Sequence, residues 1–158
     1  MLLKFANEDI FAVGAIKYLY APATAKESTN RIIIPVTVEP MDMRAGKTIQ
    51  TQAVLDTGAP YAILDPTIAE VVGFTPEQAQ ERERMLIRGM RLEGSLTRLS
   101  ITLQATQGDD LNIETTAFIP DSLEAWGGFP SFLGMAGFIE RLRFAIDPNE
   151  DKFYYGPL

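Results

Sequence analysis

The sequence has no cysteine and no histidine. Without cysteine there is no disulfide framework, no thiol nucleophile and no thiolate metal site. Without histidine there is no Ser-His-Asp triad and no imidazole-bound zinc. Hydrolytic chemistry is left to carboxylates, Lys, Tyr, Ser or Thr, or an oxygen-ligated metal. Long apolar runs are missing too. The longest, residues 10–16 and 132–139 with their glycines counted, fall well short of the roughly 20 residues that cross a bilayer. Met1-Leu2-Leu3-Lys4 leads to Asn7-Glu8-Asp9, which puts acids where a signal peptide carries its apolar stretch. A soluble, cytoplasmic protein with no membrane contact is the expectation. Basic residues are scarce, 14 against 21 acidic, for a net charge of −7. A surface of that sign repels phosphate backbones, so nucleic acid is not an expected partner.

What the chain does have is material for one core: 158 residues, 46% of them apolar, a single domain's worth. Residues 1–30 read as an N-terminal extension or outer strand, with a small polar loop or hairpin tip at 21–30, and residues 31–158 as the main domain. Ile32-Ile33-Ile34-Pro35-Val36-Thr37-Val38 is β-branched and strand-like,. Gly46-Lys47 turns, and residues 48–55 form a second strand that runs into Asp56. A short strand at 61–64 precedes a helix capped by Asp65, with Pro66 at its first position and Gly73 after it,. Thr75-Pro76-Glu77-Gln78 reads as a second helix start, and the mixed-charge run 80–84 as that helix's solvated face,. Residues 85–93, with Gly89 inside and Gly94 beyond, suit a hairpin. Strands are expected at 96–103 and 111–119 around a turn at 107–110, then a loop at 121–130 holding the only Trp. A short helical stretch at 136–142, a strand at 143–146, a turn at 147–149 and a last strand at 152–155 complete a mainly β chain with one to three short helices.

Ala53-Val54-Leu55-Asp56-Thr57-Gly58-Ala59 carries the chemistry. A carboxylate directly after an apolar strand is costly unless hydrogen bonds hold it. A tight loop supplies them, because Gly58 allows unusual φ and close backbone approach, so that its N–H can point at the carboxylate. Other polar residues read more plainly: Asp147 as a turn former, Asp109-Asp110 as a hairpin tip without calcium-loop spacing, and Trp126 as a packing residue beside Gly127-Gly128,.

In the order Val54-Leu55-Asp56-Thr57-Gly58-Ala59, Ile63-Leu64, Phe132-Leu133-Gly134 and Arg143-Phe144-Ala145-Ile146-Asp147-Pro148, the chain resembles the retropepsin-like aspartic proteases over residues 31–155. The resemblance implies a single-lobe closed barrel of the acid-protease type and a short helix at 135–142. It also implies an aspartic endopeptidase that needs no metal or other cofactor. Asp56 would be the catalytic acid/base, with Thr57, Gly58 and Ala59 supporting its loop. Because only one Asp-Thr-Gly occurs, the aspartate pair would form across a homodimer, acting on a peptide or protein substrate. Residues 85–98 would be the flap over substrate, with Gly89, Met90 and Gly94 as its contacts. The chain departs from viral members at Pro60, Tyr61, Met135 and Ala136, where an Arg–Asp brace of the dimer would sit. Ala62 stands where a hydroxyl often supports the loop. The alternative reading is a non-catalytic dimer of the same fold that binds extended peptides or partner proteins.

Overall fold

The computed structural model describes residues 12–42, 44 and 46–158. The part of the N-terminal extension comprising residues 1–11 lies outside the described residues. In chain order the elements are β1 (Gly14–Lys17), β2 (Leu19–Pro22), β3 (Asn30–Pro40), β4 (Ile49–Leu55), β5 (Ala62–Ile63) and α1 (Pro66–Val71). Then come β6 (Glu81–Ile87), β7 (Met90–Leu103), β8 (Gln107–Gly108) and β9 (Leu111–Pro120). The chain ends with α2 (Leu123–Trp126), β10 (Ser131–Leu133), β11 (Leu142–Asp147) and β12 (Lys152–Pro157). The fold is mainly β.

The larger sheet closes on itself. β3 pairs with β4, β4 with β10, β10 with β5, β5 with β9, β9 with β7, and β7 again with β3 through Thr37↔Thr102 to Pro40↔Leu99. That ring is lined by Ile34, Val36, Val38, Ala53, Ala62, Leu99, Ile101, Ala117 and Leu133. Closure leaves those strands without free edges, so their backbone groups are paired. β3 shows why the sequence folds so: its β-branched run alternates Pro35 outward with Ile34 and Val36 inward,. Two strands project beyond the ring, β2 on β3 and β6 on β7, and a second sheet runs β11-β12-β1-β8. The strands within residues 14–22 thus join both sheets.

Local signals act as their chemistry dictates. The Asp65 side chain accepts from Thr67 N–H at 2.7 Å, Pro66 begins α1, and Gly73 follows at φ 81°.

Three expectations are corrected. Residues 80–84 are not a helix face. The Gln78 side chain does accept from Thr75 N–H at 3.0 Å, but only one 3-10 turn forms, and Ala79 is already extended. From Glu81 the chain pairs with β7, Glu81↔Leu96 to Ile87↔Met90, because Met85 and Ile87 bury on one face only in a strand. Tertiary pairing overrides the helix propensity of the charged run. The segment 121–130 is not all loop, since Ser122 caps α2 by accepting from Ala125 N–H at 3.1 Å and Gly127 ends it at φ 74°. The helical stretch at 136–142 shrinks to a 3-10 turn at Ile139–Arg141, because Leu142 is taken by the ladder to β12.

Candidate active site

β4 delivers Asp56. Ala53 and Val54, on its two faces, are both fully buried, one in the ring and one in the cluster outside it, and β10 lies parallel beside it, Ser131↔Ala53 to Leu133↔Leu55. The ladder continues one step past the strand, where Asp56 N–H donates to the Leu133 carbonyl at 3.0 Å. The carboxylate is then held by its own loop: Gly58 N–H donates to Asp56 Oδ1 at 2.9 Å, and Ala59 N–H to the Asp56 carbonyl at 3.2 Å. Oδ2 has no hydrogen bond to the described residues. Gly58 gives room rather than a special φ. Its φ is not positive, but a Cβ there would stand 3.2 Å from Asp56 Oδ1.

The chain beyond β10 passes along the far side of the same loop. Met135 N–H donates to the Ala59 carbonyl at 2.9 Å and Ala136 N–H to the Pro60 carbonyl at 2.7 Å, with Tyr61 bridged to Ala136. Gly134 makes this passage possible, since a Cβ there would lie 2.0 Å from the Tyr61 carbonyl oxygen and 2.4 Å from its carbon. Residues 131–136 therefore run between the two arms of the Asp56 loop and fix both by backbone hydrogen bonds.

Of the other expected site residues, Thr57 is exposed and Ala59 is buried in an apolar cluster. That cluster also holds Met85, Ile87 and Leu92 from the inner face of the β6–β7 hairpin, with Trp126, Phe132 and Tyr61. Hairpin and Asp56 loop thus meet through side chains. Gly89 and Met90 sit at the exposed hairpin tip, where Arg88 and Gly89 turn at φ 53° and 79°. Gly94 is buried within β7, where a Cβ would be 2.3 Å from the Ile119 carbonyl and 2.5 Å from the Phe118 ring. It serves close packing in the hairpin root. Trp126 is buried, edge-on to Phe132 at 5.8 Å.

Sequence reasoning missed the contacts that hold the hairpin. Arg82 pairs with Asp121 through both nitrogens and donates from Nη1 to Ser95 Oγ at 2.7 Å. Through this bond Asp121 raises the pKa of Arg82, and Arg82 lowers that of Asp121. Arg84 pairs with Glu93 across the strands, and Arg88 at the tip with Glu27. No local signal marks Arg82 with Asp121 or Arg88 with Glu27, 39 and 61 positions apart. A cavity of about 410 Å³ lies elsewhere, floored by Val72, Phe74, Leu99 and Ile119 under an Arg98–Glu114 pair, and none of the Asp56 loop lines it. Among the described residues no group of three Asp or Glu gathers as a metal site, and no helix is long and apolar enough to cross a membrane.

No family model and no curated protein matches this sequence. Among solved structures the chain is similar to a retropepsin-like aspartic protease from Rickettsia conorii, at 19% identity over 91% of this chain and 92% of that one, with a TM-score of 0.51. Together with the Asp56 loop at the end of β4, that likeness gives this chain the fold of a retropepsin-like aspartic protease.

Proposed function

We propose that the chain is an aspartic endopeptidase whose catalytic pair consists of Asp56 from each of two copies. The observation that carries this reading is the state of Asp56. Its backbone is fixed on both sides, one carboxylate oxygen is tied to Gly58 N–H, and the other is left to act. Thr57 and Gly58 beside it are exposed, as a loop facing a second copy across a two-fold axis requires.

Two carboxylates brought together at such an axis share one proton, because like charges so close cannot both ionise. The ionised member takes a proton from a water, whose oxygen attacks the peptide carbonyl. The protonated member gives its proton to the carbonyl oxygen. As the C–N bond breaks, the carboxyl that took the water's proton gives it to the leaving nitrogen, and the other carboxylate takes a gem-diol hydroxyl proton, leaving acid, amine and a singly protonated pair. The β6–β7 hairpin, which shares an apolar cluster with the Asp56 loop, would lie over an extended substrate.

The test is cleavage of a diverse peptide library, read by mass spectrometry over roughly pH 3.5–7.5, from the ordinary carboxylate range to neutrality, with Asp56→Asn alongside. Cuts by the wild type that vanish in the variant are the expected result. Equal cutting by both, or none by a dimer confirmed in sedimentation, would sink it. Peptide binding that survives Asp56→Asn would instead favour a binding module.

A further inference from the structure

The tip of the β6–β7 hairpin is fastened to a residue 61 positions earlier in the chain. Arg88 donates from Nη2 to Glu27 Oε1, in the loop that joins β2 to β3. The same guanidinium lies 3.4 Å from the centre of the Phe129 ring, well inside the range of cation–π attraction. Phe129 stands edge-on to Trp126, whose Nε1–H donates to the Phe129 carbonyl at 2.7 Å. One side chain thus joins the hairpin tip, the N-terminal loop and the aromatic group packed behind the Asp56 loop.

The contact carries its own opposing term. The Glu27 side chain is only 12% exposed, yet its Oε2 has no hydrogen-bond partner, and neither has the buried Thr24 Oγ1 beside it in the same loop. A buried carboxylate satisfied at one oxygen keeps part of its desolvation cost, which water would relieve on opening. The tip is a well-formed turn: positive φ at both Arg88 and Gly89 gives it a twist that matches its strands. The root, by contrast, is clamped by Arg82 to Asp121 and Ser95.

We propose that Glu27 and Phe129 form a latch for Arg88. Closed, it holds the hairpin on the cluster that contains Ala59 and Tyr61. Released, it lets the tip lift and uncovers that cluster. On the reading of Asp56 as catalytic, the latch sets how often the cleft above it opens, but the latch itself does not depend on that reading.

Arg88→Asn tests it, because Asn-Gly preserves the turn while removing the guanidinium. The chain has one Trp and no Cys, so buried Trp126 and a thiol introduced as Leu92→Cys, also at a buried position, report opening without background. In Arg88→Asn the Leu92→Cys thiol should label roughly tenfold faster, the effect of losing a partly desolvated ion pair and a cation–π contact. Acrylamide quenching of Trp126 should rise, with the far-UV spectrum unchanged. Glu27→Ala should move both readings the same way by less. Unchanged labelling in a natively folded Arg88→Asn would overturn the latch; should that variant not fold, unchanged labelling in Glu27→Ala would do so. Both probes work without substrate. Faster labelling with no Asp56-dependent cleavage would keep the latch and sink the protease reading, and the opposite result would do the reverse.

Discussion

The Asp56 loop and the β6–β7 hairpin share one apolar cluster, but different forces hold them in place. The loop is fixed by main-chain bonds: Asp56 to Leu133 on one arm, Met135 and Ala136 to Ala59 and Pro60 on the other. Each lies in the sheet or against it, and none depends on a side-chain rotamer. The hairpin is joined to the body by main chain only at its root, where Asp121 N–H donates to the Glu93 carbonyl and the β9 ladder begins at Gly94↔Pro120; toward the tip it is held by side chains, the buried Met85, Ile87 and Leu92 and the ion pairs of Arg82 and Arg88. Those ion pairs are worth less and are screened by salt. A region held by backbone has one geometry. A region held by ion pairs has a closed state and an accessible open one. A hydrolase of extended chains needs both, a fixed carboxylate and a cover that yields.

The sharpest way to break that contrast is at the crossing point. Gly134→Ala places a methyl 2.0 Å from a backbone oxygen that cannot move without tearing the loop. It should cost about 3 kcal/mol or more in denaturant unfolding, and take any Asp56-dependent activity with it. A wild-type midpoint in Gly134→Ala would mean that the loop is not fixed by the 131–136 crossing.

Gly94→Ala probes the other region at its one backbone-tight point. There the obstacle is the Ile119 carbonyl and the Phe118 ring. The ring can give, so about 1–3 kcal/mol is expected, with the hairpin root loosened and the Asp56 loop intact. The two variants should separate in hydrogen exchange. Gly134→Ala exposes amides of β4 and β10, whereas Gly94→Ala exposes those of β6 and the root of β7. Identical exchange patterns would show that the two regions open together.

The same division explains what could be read from the sequence. The Asp56 loop was legible because its geometry is written locally, in an apolar strand, an acid and a glycine two positions after it, whereas the crossing segment Phe132-Leu133-Gly134 stood out only through the resemblance. The capped helix after Asp65 was legible for the same reason. The charged run 80–84 was misread because its local signals, a Thr75 cap and alternating Glu and Arg, favour a helix, while the deciding contacts lie at Ser95 and Asp121. One signal was present and unused. A turn at Arg88-Gly89 followed by a long β7 obliges the preceding strand to run equally far back, which reaches Glu81. Nothing local announced Glu27 as the partner of Arg88.

The smallest expected effect tests the clamp at the hairpin root and has a definite sign with pH. Arg82 holds the Asp121 carboxyl below its ordinary value of 3.8 by hydrogen bonding and charge, against a smaller opposing effect of burial. A carboxyl with its pKa lowered on folding stabilises the fold above its unfolded pKa, and that contribution fades as pH falls through the folded value. Both side chains are about half exposed, so the gain is under about 1 kcal/mol. Arg82→Gln should therefore lose that much at neutral pH, read by urea unfolding of Trp126 fluorescence. The difference from wild type should hold constant above about pH 5 and shrink below about pH 4, as the linkage requires. It should not vanish, because the bond from Arg82 to the uncharged Ser95 hydroxyl survives protonation of Asp121. A difference that stays level to the lowest pH would assign the clamp to Ser95 and packing. One that grows in acid would mean that Arg82 stabilises the fold through some group other than Asp121.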